Sequence, residues 1–159
     1  MTRILIIYDS RTGNTEKMAI LVSEGVKKCD GAEPILKKID QATLSDLQDA
    51  DAIIVGSPTY YGQMSGKLKA FIDTSNKIHG KLAGKVGGAF TSSGGTACGA
   101  ETTLLSILNS MLVHGMIVQG MHECNHYGPA SVGAPGKQES ARCRLLGKRV
   151  AELSSKLKA

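Results

Sequence analysis

A chain of 159 residues, 42% hydrophobic and 21% charged, is long enough for one domain with a sizeable core, and no apolar run approaches the roughly 18 residues that a membrane helix needs. Its four cysteines, Cys29, Cys98, Cys124 and Cys143, are scattered without a C-x-x-C pair, which argues against a zinc ribbon or a redox dithiol. The net charge of +5 arises from Lys137–Ala159, where seven basic residues accompany two acidic ones; without interleaved aromatics this stretch reads as a solvated helix face, not a nucleic-acid footprint.

The N-terminal "MTRILIIYDS" has no long apolar h-region and no A-x-A-like cleavage site, so it reads as a first strand of a cytosolic protein. Met18, Leu21, Val22, Val26 and Cys29 then recur at helical spacing. "AEPILKKID" supplies a second strand with Pro34 near its start, as an edge tolerates, and "DAIIVGSP" a third, fully apolar one. Leu68, Phe71, Ile72 and Ser75 mark a helix face, and "GKVGGAFTSS" a fourth strand despite its glycines. Leu104, Ile107, Leu108, Met111 and Leu112 predict the next helix, and "GMIVQGM" a fifth strand. Ala141, Leu145, Val150, Leu153 and Leu157 form the apolar side of a closing helix. Apolar strands alternating with helices imply a doubly wound α/β fold, a parallel sheet with helices on both faces. In such folds ligands sit outside the carboxyl ends of the strands.

Three loops converge at that edge. Ser10, Arg11, Thr12, Gly13, Asn14 and Thr15 precede the first helix, whose free N–H groups and dipole favour an anion. Hydroxyl donors and a close-approaching glycine add to this; helix capping by Asn14 or Thr15 would account for one of these residues but not for the cluster. The second loop, "GSPTYYGQMSG", holds two of the four tyrosines, which suggests a flat ring ligand, although one tyrosine packed on the core would also explain part of it. The third places Thr91, Ser92, Ser93, Gly94 and Gly95 before another helix start. Neither a Walker A motif nor a G-x-G-x-x-G is present, and the third strand ends without the aspartate of a phosphorylatable receiver.

"SRTGNT" resembles the flavodoxin phosphate loop, [TS]-x-T-G-x-T. "VGSPTYYGQMSGKLKAFIDTS", "FTSSGGTACGAETTLLSILNSMLVHGMIVQG" and "HYGPAS" are similar to the tryptophan-repressor-binding-protein (WrbA) family, flavodoxin-like NAD(P)H:quinone oxidoreductases. The resemblance implies a five-stranded sheet of order 2-1-3-4-5 and a bound flavin mononucleotide (FMN). Its phosphate would lie on Ser10 to Thr15, and its ring against Pro58, Thr59, Tyr60, Tyr61 and Gly62. Thr91 to Gly95 would border the pyrimidine side or ribityl chain. His114 matches a histidine that approaches the flavin in that family, from a neighbouring subunit; a core or surface histidine at a helix end is the alternative. The family's inserted segment before the third strand and its tryptophan-bearing loop have no counterpart in "IDQATLSDLQDADAI" or "SNKIHGKLAGK".

Two functions follow from the resemblance. One is an enzyme that passes two electrons from NADH or NADPH through FMN to a quinone, as a dimer or tetramer. The other is a flavodoxin-type carrier between redox protein partners. Flavodoxins of this kind resemble acidic proteins that dock on basic partners, whereas this chain is neutral apart from its basic last helix, which favours the enzyme.

Overall fold

The computed structural model of the protein describes residues 1–158. Strands β1 (Thr2–Tyr8), β2 (Ala32–Lys38), β3 (Ala52–Pro58), β4 (Val86–Ser93) and β5 (Ile117–Val118) form a parallel sheet of order 2-1-3-4-5. A sixth strand, β6 (Ala130–Val132), pairs with β4 beyond β5. Helices α1 (Asn14–Val26) and α5 (Lys137–Lys158) cover one face, and α2 (Leu44–Asp49), α3 (Gly66–Thr74) and α4 (Ala100–Val113) the other.

The two-residue period of the strands divides the core. Ile4, Ile6 and Tyr8 of β1 pack with Ile54 and Phe90 under α1 and α5, whereas Leu5 and Ile7 pack with Ile53, Val55 and Ala89 under the other helices. Both faces are buried, which explains why the strands read as continuous apolar runs. The glycines of β3 and β4 make room for neighbours. A Cβ on Gly56 would overlap the Phe90 ring, one on Gly87 would crowd Met111, and one on Gly88 would crowd Leu146 and Val150.

Two expectations are corrected and one element is added. The fifth strand is two short pieces separated by residues 119–129, since β5 pairs with Val86 and Gly87 and β6 with Thr91 to Ser93. The short α2 was not expected. It is set by a capping box in which Thr43 Oγ1 accepts from the Asp46 N–H and the Asp46 carboxylate accepts from the Thr43 N–H.

The buried face of α5 also differs. Cys143, Gly147, Val150, Ala151 and Ser154 face inward, whereas Ala141, Leu145 and Leu157 are exposed. The cause is a close helix crossing: a Cβ on Gly147 would overlap the Val22 carbonyl oxygen, and one on Gly25 the Arg144 carbonyl oxygen. Small residues face α1 because the two backbones touch. Among the described residues, no helix is long and apolar enough to cross a membrane.

Candidate flavin site at the carboxyl ends of the strands

β1 delivers its loop at the start of α1. Gly13 holds φ 95° as the residue preceding the helix, a left-handed conformation natural to glycine, and makes no side-chain cap. Neither Asn14 nor Thr15 caps the helix. That role falls to Ser10, whose Oγ accepts from the Gly13 and Glu16 N–H groups, both at 3.2 Å, leaving its own O–H free to donate outward. The N–H groups of Arg11, Thr12, Asn14 and Thr15 meet no acceptor among the described residues. Arg11 and Thr12 are exposed, and Gly13 and Asn14 half-buried.

The first helical turn is pinned from below. Tyr8 donates its O–H to Glu16 at 2.7 Å, and burial, followed by that bond and the Glu16 charge, pushes the phenol up to about 12. The carboxylate at this helix start therefore serves a structural tyrosine.

Buried hydroxyls tie the loops together. Thr15 Oγ1 lies 2.8 Å from Ser92 Oγ, joining the first loop to the third. Thr91 donates to the Ser57 carbonyl at 2.7 Å and stands 2.9 Å from Thr59 Oγ1, joining the third to the second. The Thr59 N–H donates to the Ser92 carbonyl at 2.7 Å. Ser57 Oγ accepts from the Ser65 N–H, and Ser65 in turn caps α3. The side chains of Thr91, Ser92 and Ser93 are thus buried and engaged, while Gly94 and Gly95 offer backbone at the surface.

Tyr60 and Gln63 exchange two backbone hydrogen bonds around Tyr61 and Gly62, at φ 51° and 73°. Positive φ at both central residues is the signature of a type I′ turn, which favours Asn-Gly; a tyrosine there is strained. Pro58 is buried at the entry, Tyr60 is 41% exposed, and Tyr61 is fully exposed at the tip. The turn leans on α4, because a Cβ on Gly62 would press on Thr102 Oγ1 and one on Gly99 on the Gly62 backbone.

His114 lies elsewhere. It follows α4 at that helix's far end, and α4 runs away from the three loops. Its Nε2 is 2.7 Å from Ser75 Oγ, its ring is 5.8 Å from that of His79, and its Nδ1 is buried without a partner. Desolvation, then the neighbouring His79, lowers its pKa from the ordinary value. Within one chain His114 stands at a helix end apart from the three loops; the approach to a flavin that the resemblance implies is from a neighbouring subunit. Conversely, β6 brings a fourth loop, Gly133 to Gly136, to the site edge. The glycine- and proline-rich "HYGPASVGAPG" was its signal, but three residues are too few for a strand period to show.

Residues 27–125 match the NADPH-dependent FMN reductase family. The chain is 42% identical over 160 residues to a flavodoxin of Aquifex aeolicus strain VF5, covering 96% of this chain and 86% of the relative. It is 38% identical over 191 positions to an NAD(P)H dehydrogenase (quinone) of Archaeoglobus fulgidus, covering 99% of this chain and the whole of the relative. The chain belongs to this flavodoxin-like family.

Its fold agrees with that of a WrbA-like flavodoxin of Agrobacterium tumefaciens, with a TM-score of 0.84 and 29% identity over 98% of this chain and 99% of that one. The family member described here is compact beside the Archaeoglobus relative. The alignment spans 191 positions against 159 residues, so at least 32 positions (191 less 159) have no counterpart.

Proposed function

We propose that the chain binds FMN across these loops and acts as an oxidoreductase that carries two electrons from NADH or NADPH to a quinone. The observation that carries the flavin reading is the donor set ahead of α1. Four N–H groups without acceptors, the outward Ser10 O–H and the Thr12 hydroxyl surround the positive end of a helix, which suits one phosphate. Arg11 stays in solvent, so aligned dipoles, not a paired cation, hold the anion.

Bound FMN would supply the electron chemistry; the protein supplies position and hydrogen bonds. Tyr60 and Tyr61 offer a platform to a flat ring, and the buried hydroxyl ties keep the phosphate loop and the tyrosine turn in fixed relation. No side chain of this chain is required to move a proton. The Archaeoglobus relative, similar over its full length, supports the enzyme.

A second reading, a flavodoxin-type carrier between redox proteins, is favoured by the tyrosine tip, which stands fully exposed. Anaerobic mixing of the FMN-loaded protein with NADH or NADPH, followed by benzoquinone, separates the two. Bleaching by nicotinamide and recovery on quinone supports the enzyme. No bleaching, together with two separate one-electron stages on chemical reduction, supports the carrier. A colourless protein that fails to take up added FMN refutes both.

A further inference from the structure

Opposite Gly88, Ala89 and Phe90, β4 has no strand on its outer side, because β5 ends before them and β6 begins after them. Residues 119–129 cover the gap, returning so closely that a Cβ on Gly128 would overlap the Ala89 carbonyl oxygen. Between this excursion and α5 lies a cavity of about 100 Å³ with a floor that includes Ala89, Leu108, Val118 and Leu146. An apolar cavity of about 150 Å³ accepts benzene, so this one takes a body of about a single ring, part of it protruding.

Arg142 and Arg149 line the same cavity, seven residues and thus about 10 Å apart along α5. Arg142 Nη1 donates to Asn125 Oδ1, and Arg149 Nη2 to the Gly120 carbonyl at 2.6 Å, so the two guanidiniums grip the excursion near its ends. Each keeps further donors. Neither forms an ion pair among the described residues, unlike Arg144, Lys148 and Lys158 on the same helix. Guanidiniums of two half-buried arginines that gain no counter-ion among the described residues, beside an apolar floor, complement a molecule with an apolar body and a carboxylate end.

We propose that the cleft between residues 119–129 and α5 is a binding site for a small organic carboxylate, its apolar part on the β4 floor and its carboxylate on Arg142 and Arg149. Glu123, exposed at the lining and in no ion pair among the described residues, is the acid that opposes the ligand's charge. None of the residues assigned to FMN lines this cavity, although Pro129 at its rim accepts from the Thr91 N–H, and the proposal does not depend on that assignment.

Calorimetric titration of the full chain with benzoate, and with benzyl alcohol as its neutral counterpart, tests the site. Benzoate should bind at least about tenfold more tightly than the alcohol, and Arg142→Gln or Arg149→Gln should each weaken benzoate about tenfold while leaving the alcohol within about twofold. Because both arginines also hold the excursion, Glu123→Gln provides the check that leaves packing untouched, and it should tighten benzoate about two- to threefold. Equal affinity for acid and alcohol, no heat with benzoate, or benzoate affinity indifferent to Glu123→Gln would each overturn the proposal.

Discussion

Tyr61→Asn should stabilise the flavin-free chain while weakening its hold on FMN. Tyr61 sits at φ 51° with its side chain fully in solvent, so substitution removes no packing from the flavin-free fold. A left-handed conformation costs an ordinary L-residue about 1–2 kcal/mol, and asparagine, with its short polar side chain, escapes most of this. Asn-Gly is moreover the preferred pair for a type I′ turn. A net gain of about 1 kcal/mol corresponds to a rise in Tm of roughly 2–4 °C at this chain length.

With FMN bound, the asparagine lacks the ring face, and losing an aromatic pair should cost about 0.5–1.5 kcal/mol, a two- to tenfold loss of affinity. Thermal unfolding with and without saturating FMN, combined with fluorescence titration of the flavin, measures both effects. The reasoning fails if the flavin-free Tm is unchanged or falls, which would mean the tyrosine conformation is unstrained. An unchanged FMN affinity would instead remove Tyr61 from the platform.

Other substitutions examine the ties beneath the site. Thr15→Val leaves Ser92 Oγ without its buried partner, so urea unfolding should show a loss of about 1–3 kcal/mol, accompanied by weaker FMN binding as the first and third loops uncouple. Gly147→Ala should destabilise by at least about 1–3 kcal/mol, because its methyl meets the Val22 backbone, not a movable side chain; native stability in urea would disprove the close crossing.

The pH dependence has a definite sign. Folded His114 has a pKa below the ordinary value of 6.5, so the unfolded chain binds more protons and stability falls as pH drops through 6.5 toward the folded value. His114→Gln should flatten that part of the stability profile measured by denaturation between pH 7 and 5, values that straddle the ordinary histidine pKa.

The parallel, doubly wound class was legible because β1, β3 and β4 are buried on both faces and so read as long apolar runs between glycine-rich loops, whereas the strand order 2-1-3-4-5 came only from the resemblance to flavodoxins and WrbA. The donor-rich loop ahead of α1 was legible for a related reason, since Gly13 and Ser10 act through local backbone geometry. What escaped was non-local. Leu145 and Leu157 continue a helical apolar pattern, yet the inward face of α5 is decided by the two glycines that let it touch α1. The division of labour among Thr15, Thr59, Thr91 and Ser92 depends on which loops meet, and a cluster of hydroxyls in sequence does not say which serve each other and which face outward. His114 shows the same limit: its spacing places it at a helix end, but only the direction of α4 places that end away from the loops.

The interrupted flank of β4 has a consequence for how this fold can change. Three residues would carry the chain from Val118 to Ala130 alongside Gly88, Ala89 and Phe90, whereas eleven, 119–129, make the passage. The eight residues of difference form a segment that could be lengthened, shortened or removed without shifting the register of either half-strand. Variation in chain length can therefore accumulate on this flank while the middle of the sheet, where β1 meets β3, keeps its register.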